Sequence, residues 1–149
     1  MRAVVQRVSR AKVTVGNQTG GEISRGLSVL LGVTHTDDKK DAEYLVDKIV
    51  KLRIFEDADG KMNLSLADID GEMLVVSQFT LYGDTRRGRR PSFIDASGPE
   101  HAMLWYNYFV AKARETVKKV ATGRFGEMMN VELVNDGPVT IILDSEKTI

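Results

Sequence analysis

The run Asn135-Asp136-Gly137-Pro138-Val139-Thr140 constrains this chain more than any other. It separates two apolar, β-branched runs, Val131 to Val134 and Val139 to Leu143, whose composition is that of strands. Asn, Asp, Gly and Pro between them supply turn chemistry, so the chain is expected to fold back here as a hairpin. Proline lacks an N–H and fixes φ, which predicts a stiff tip at Gly137-Pro138 with carbonyls directed outward. Such a tip is either a hairpin loop and nothing more, or a main-chain element that recognises a ligand.

The rest of the chain sets the scale. With 149 residues, 42% apolar and 28% charged, one globular domain over residues 1–149 is expected, burying roughly two-thirds of its unfolded surface. Twenty-one basic and twenty-one acidic side chains cancel, so a polyanionic partner has to be held by a local patch rather than by the field of the whole protein. The absence of cysteine excludes disulfides, thiol nucleophiles and thiolate metal sites, and agrees with a reducing compartment. Polar residues interrupt Met1 to Arg7 too often for a signal peptide, and no apolar run approaches membrane-spanning length. A soluble, cytoplasmic protein with no membrane association is expected.

Ala3 to Val15 alternates as a strand does, but Arg7 falls on its mainly apolar side. A guanidinium there needs partners, unless a bulge or twist turns it into water. Gly16 to Gly21 reads as a turn, Glu22 to Ser24 as a short return, and Leu27 to Val33 as a buried strand. Ala42, Leu45, Ile49 and Leu52 share one face of a helix predicted over about 38–52, capped by Asp37-Asp38. Arg53 to Glu56 reads as a short strand and Glu72 to Thr80 as the clearest buried one. A long helix is predicted from near Pro99 to near Gly123, with Ala102, Trp105, Tyr106, Phe109, Ala113, Val117 and Val120 on one face. Strands at both ends, two helices between them and no βα repeat predict an α/β fold of β/β/α layers: a mainly antiparallel or mixed, curled sheet with two main helices packed on one side.

Chemistry is sparse. There is no G-x-S-x-G elbow, no H-E-x-x-H motif and no cysteine, and the two histidines, His35 and His101, read as surface or capping residues. Asp57, Asp59 and Gly60 lack the further ligands of a calcium loop, so no metal and no cofactor is expected. Ser77-Gln78-Phe79-Thr80 emerges at the end of the most apolar strand, where groups are held rigidly. Ser77 and Thr80 are candidates as nucleophiles or donors, Gln78 as an oxyanion donor and Phe79 as a stacking surface. The plain alternative is a set of polar residues satisfying a strand end. Arg86, Arg87, Arg89 and Arg90 form the densest positive patch, suited to phosphate by guanidinium geometry or simply solvated.

Taken together, Ser77-Gln78-Phe79-Thr80 and Asn135-Asp136-Gly137-Pro138-Val139-Thr140 resemble the motif pair of the D-aminoacyl-tRNA deacylases, and the likeness extends from Met1-Arg2-Ala3-Val4-Val5-Gln6-Arg7-Val8 through Leu52 to Asp57 and Gly60 to Asn63 to the terminal strands. The resemblance implies hydrolysis of the ester in D-aminoacyl-tRNA, and of mischarged glycyl-tRNA, as translation quality control. It implies a homodimer in which Gly137-Pro138, joined by a cis bond, enters the partner's pocket and rejects L side chains through its carbonyls. Arg7 would tie down that loop, and Phe125, Met129 and Ala102 would shape the pocket around the terminal adenosine. The reaction side would be Ser77 to Thr80, with Thr80 the family's suggested nucleophile. No base is evident to deprotonate Thr80, so attack by water, with Gln78 or backbone N–H groups on the oxyanion and the substrate's 2′-hydroxyl assisting, is the preferred expectation. A non-catalytic module that captures the tRNA end and an esterase for small free esters are the competing readings.

Overall fold

The structure, a computed structural model, describes residues 1–149. Its spine is β1 (Arg2–Val15), which is long enough to pair with three other strands. One edge of β1 takes β3 (Gly26–Gly32) along Arg2 to Val8 and β2 (Gln18–Ile23) along Ala11 to Val15, while its other edge takes β8 (Asn130–Asp144), all antiparallel. Beyond β3, β6 (Glu72–Ser77) and β7 (Val120–Thr122) add in parallel, giving the order β2-β1-β3-β6-β7 with β8 alongside β1. The sheet curls until its ends nearly meet: a Cβ on Gly21 of β2 would run into the Thr122 carbonyl oxygen of β7. β4 (Phe55–Glu56) and β5 (Met62–Leu64) form a separate small ribbon.

Curling gives the sheet two buried faces. Val8, Ala11, Val13, Ile23, Leu74 and Val76 fill its inside. Ala3, Val5, Leu27, Val29, Met73 and Val75 point outward and are covered by the two helices. β3 and β6 are therefore apolar at nearly every position, as strands covered on both faces must be.

The helices pack on that outer face. α1 (Lys39–Lys51) starts at Asp38, whose carboxylate accepts from Lys40 N–H while the Asp41 carboxylate reaches back to Asp38 N–H, and it buries Ala42, Leu45 and Ile49 as their spacing predicts. α2 (Pro99–Arg114) has proline in its first turn and buries Ala102, Tyr106, Phe109 and Ala113. It stops short of the predicted Gly123. Val117 and Val120 keep the helical spacing and are buried, but the chain turns after Arg114 and Val120 to Thr122 pair with β6 instead. β-branched residues that satisfy a ladder win over a continued apolar stripe.

The expected hairpin is also corrected. Val131 to Val134 and Thr140 to Asp144 both pair with β1 and run in the same direction, so the chain does not fold back. Asn135 lies opposite Val8 and Thr140 opposite Gln6, and the four residues between are pushed out against Arg7 alone. The reason is the partner strand: β1 continues through the whole stretch and recaptures β8, so turn chemistry makes an outward excursion of one strand. Asn135 staples its base, donating to Thr140 Oγ1 and accepting from Val139 N–H, both at 3.1 Å. Gly137 and Pro138 are exposed at its tip, and their peptide bond is cis. A Cβ on Gly137, at φ 130°, would meet the Arg7 guanidinium.

Arg7 is buried with partners and is not turned into water, although the strand does bulge there. The β1–β8 register shifts around it, and the side chain is nonetheless buried, 7% exposed. Its Nε donates to Asp136 O at 3.0 Å and its Nη1 to Ile54 O at 2.8 Å, with the carboxylates of Asp136 and Glu56 further out. The shift also swaps faces: Ala3 and Val5 look to the helices, whereas Ala11 and Val13, at the same parity, look inside the curl.

Candidate functional site

A cavity of about 670 Å³ opens where three segments converge: the end of β6 and the turn after it, the approach to α2, and the loop before β8. β6 ends at Ser77, not Thr80, and Phe79–Tyr82 is a single 3₁₀ turn. The departing chain is held by Gln78 N–H on Leu31 O at 2.8 Å and by Gly83 N–H on Thr80 O at 2.9 Å. That bend carries the polar strand end onto a wall.

The second segment is anchored against the end of β3. Ser97 N–H donates to Val33 O at 3.0 Å, and the Thr34 hydroxyl donates to Asp95 O. Ala102, on the first turn of α2, adds a small apolar surface beside it. One turn further, Tyr106 donates its hydroxyl to Val75 O at 2.7 Å, which locks α2 to β6 beneath the cavity. Burial pushes that phenol up to about 12. The third segment packs on the same tyrosine through Phe125, with ring centroids 5.8 Å apart. Arg124 N–H rests on the Met129 sulfur at 3.4 Å, and Gly123 leaves the space that sulfur fills.

Seven of the residues singled out in the sequence thus meet in one place: Ser77, Gln78, Phe79, Thr80, Ala102, Phe125 and Met129 all line the cavity. Arg7, Gly137 and Pro138 do not. Arg7 instead borders a small polar pocket of about 120 Å³ with Arg25, Phe55, Glu56 and Asp136. The lining also includes residues that sequence reasoning missed, among them Phe93, Ser97, Glu127 and Met128. Phe93 had a signal, a lone aromatic just after a polar loop; it stands edge-on to Phe79 with centroids 5.2 Å apart.

The arginines divide. Asp84 and Ser92 close the loop with mutual backbone hydrogen bonds, placing Arg86 to Arg90 directly before Phe93 of the cavity wall. Arg86 is committed to Asp84 by two parallel contacts, Nε to Oδ1 at 2.9 Å and Nη2 to Oδ2 at 2.8 Å. This hydrogen-bonded guanidinium holds the Asp84 carboxyl down at about 2. Arg87, Arg89 and Arg90 are exposed and point their charge at solvent.

Chemically the cavity is a donor site. The Gln78 amide donates to Thr80 Oγ1 at 2.5 Å, and no histidine lines the space. His35 contacts Ile94 O, and His101 packs on Trp105. Asp57 caps its own turn, accepting from Asp59, Lys61 and Asn63. What the lining offers is the Gln78 amide, the hydroxyls of Ser77, Thr80 and Ser97 and the Glu127 carboxylate over an apolar floor, with an amide donor suited to polarising a carbonyl and no histidine to generate a strong nucleophile.

Comparison with known proteins sharpens this. The sequence matches the family described as D-Tyr-tRNA(Tyr) deacylase over residues 4–144. It is 62% identical over 148 residues to the D-aminoacyl-tRNA deacylase of Clostridioides difficile (strain 630), covering 99% of each chain, and 63% identical over 145 residues to that of Dehalococcoides mccartyi (strain CBDB1), covering 97% of this chain and 95% of the relative. A solved structure described as "c-Myc DNA Unwinding Element Binding Protein" superposes with TM-score 0.92 at 46% identity, covering 97% of this chain and 98% of that one. Another, described as a probable eukaryotic D-amino acid tRNA deacylase, shares the fold at TM-score 0.76 and 18% identity, covering 95% and 97%. With a match running almost end to end over a chain more than half identical to named deacylases, the protein belongs to the D-Tyr-tRNA(Tyr) deacylase family.

Proposed function

We propose that this chain hydrolyses the ester joining a D-amino acid to the terminal ribose of tRNA, releasing the amino acid and reusable tRNA, with glycyl-tRNA as a second substrate. The observation that carries this reading is the single cavity into which Ser77 to Thr80, Ala102, Phe125 and Met129 are gathered, in a chain more than half identical to D-aminoacyl-tRNA deacylases. The 3′ adenosine packs against the apolar walls, and the ester carbonyl faces Gln78 and the N–H groups of the turn. Water attacks, the 2′-hydroxyl of the substrate assists, and the oxyanion is met by donors already in place. Thr80 positions rather than attacks, because its oxygen is occupied by the Gln78 amide and no base is hydrogen-bonded to its hydroxyl.

Selectivity comes from a second copy of the chain. The Gly137-Pro138 tip is exposed and lies outside the cavity of its own chain, and the outer edge of β8 is unpaired, with Val131, Val134 and Ile142 exposed along it. An unpaired edge with apolar side chains suits a self-complementary interface. In that dimer the tip enters the neighbouring cavity and its main-chain oxygens leave room for a D side chain or none, excluding L side chains by clash. Arg87, Arg89 and Arg90 take the tRNA phosphates, and the site of action is the cytoplasm. The test is deacylation of matched D- and L-aminoacyl-tRNA at catalytic protein concentrations. Turnover of the D ester with the L ester spared is expected, and a complex that forms while both esters persist would leave only an RNA-binding module.

A further inference from the structure

The loop that carries the arginines and the wall that carries Gln78 and Thr80 are joined through one ring. Asp84 and Ser92 exchange backbone hydrogen bonds at 2.8 and 2.9 Å, which close the loop at its base, and Phe93 follows that closure directly. The Phe93 ring stands edge-on to Phe79 with centroids 5.2 Å apart. It also lies over Gly83, where a Cβ would come within 3.0 Å of both Phe93 Cε1 and the Thr80 carbonyl oxygen. Gly83 in turn donates its N–H to that oxygen at 2.9 Å. Phe93 is thus packed against both ends of the 3₁₀ turn that carries Thr80, with Gln78 just before it. On its far side the segment is tied down, Ala96 N–H donating to Phe93 O at 3.1 Å and Ser97 N–H to Val33 O at 3.0 Å. On its near side the loop runs out to Gly88, which turns at φ 79° in open space.

Phe79 is 55% exposed, so core packing does not fix its ring, and its place depends on the neighbour it leans on. Arg87, Arg89 and Arg90 are exposed on the stretch that ends at Phe93. Phosphates that grip those guanidinium groups act on the same short stretch of chain. We propose that Phe93 is a positioning residue for hydrolysis: phosphates held by Arg87, Arg89 and Arg90 seat its ring against Phe79 and Gly83, and that contact sets Gln78 and Thr80 for the ester carbonyl. This rests on the deacylase reading of the cavity. Binding energy gathered far from the reacting bond is used for orientation at it, so a substrate without the remote part loses rate and not merely affinity. An aminoacyl-adenosine fills the same cavity but has no phosphate to offer the loop.

The deciding experiment compares single-turnover hydrolysis of D-aminoacyl-tRNA and of the matched D-aminoacyl-adenosine at saturating protein. It uses the wild-type protein, Phe93→Ala, Phe93→Tyr, a variant with Arg87, Arg89 and Arg90 all changed to alanine, and that variant combined with Phe93→Ala. The wild-type rate is expected to be about tenfold higher on the tRNA ester. Phe93→Ala and the arginine variant should each bring the ratio of the two rates toward one, and the combination should bring it no lower. Phe93→Tyr, which keeps the ring, should restore the ratio. The arginine variant changes only exposed side chains and carries the same test if Phe93→Ala does not fold. Equal rates on both esters in the wild type, an equal loss on both in Phe93→Ala, or losses that add in the combination each overturn the assignment, the second by making Phe93 a piece of wall and nothing more. The amide NMR signals of Thr80 and Gly83 give a readout apart from turnover: tRNA lacking its terminal adenosine should shift them in the wild type and not in Phe93→Ala, and equal shifts in both refute the link. Should both esters survive the wild-type protein while those shifts still depend on Phe93, the deacylase reading fails and the coupling of loop to wall stands.

Discussion

Thr80 has its hydroxyl oxygen engaged by the Gln78 amide, and no histidine or carboxylate is hydrogen-bonded to it. A threonine in that state shapes a site better than it attacks. Thr80→Ala is therefore expected to lower the single-turnover rate by less than about tenfold, whereas loss of an essential nucleophile costs several orders of magnitude. A collapse of the rate with binding intact would reinstate Thr80 as the attacking group. At this scale the sequence was readable where chemistry is local: the hydroxyls and amide at the β6 end, and the improbable guanidinium at Arg7. It was silent on Glu127, because a single glutamate among twenty-one acidic side chains looks like ordinary surface until the fold puts it in an uncharged lining.

At the scale of elements, the arginine loop shows what spacing cannot reveal. Four guanidinium groups look equivalent in sequence, but the loop closes on Asp84, which takes Arg86 for itself. Replacing Arg87, Arg89 and Arg90 together with alanine should weaken tRNA binding and flatten its salt dependence by about two to three in slope. Arg86→Ala should change that slope little. The same pair makes a pH prediction: Asp84 is depressed in the folded state, so its contribution to loop order is complete above the ordinary carboxylate range and is lost as pH falls toward about 2. A carboxyl NMR titration of Asp84 checks this, and Arg86→Ala should raise the midpoint toward the ordinary range, with the backbone N–H at that position still holding part of the depression. Element boundaries were misread where long-range pairing decides them. Nothing local ends α2 at Arg114 or carries β8 straight past Pro138; β6 and β1 do so from across the fold.

At the scale of the whole molecule, the curled sheet and helix layer follow from alternation and composition, whereas the relation of tip to cavity does not. The proposed dimer, in which each site takes its filter from the other copy, makes a prediction no single chain can fulfil. One variant with a filled cavity, Ala102→Trp, and one with a broken tip, Gly137→Val, should each be inactive, and unfolding and remixing them should restore about a quarter of the activity through mixed dimers. No recovery, with dimers shown to exchange by native mass spectrometry, would place tip and cavity in the same chain.

β1 is the first strand of the fold and β8 the last, and they border each other along nearly their whole length. On the ribosome β1 therefore emerges with an edge that stays unpaired until β8 has been made. A stalled nascent chain ending at Met129 should stay protease-sensitive despite containing every other strand and both helices. For a fold of this topology, closure of the sheet has to wait for its last strand, however early the first was made.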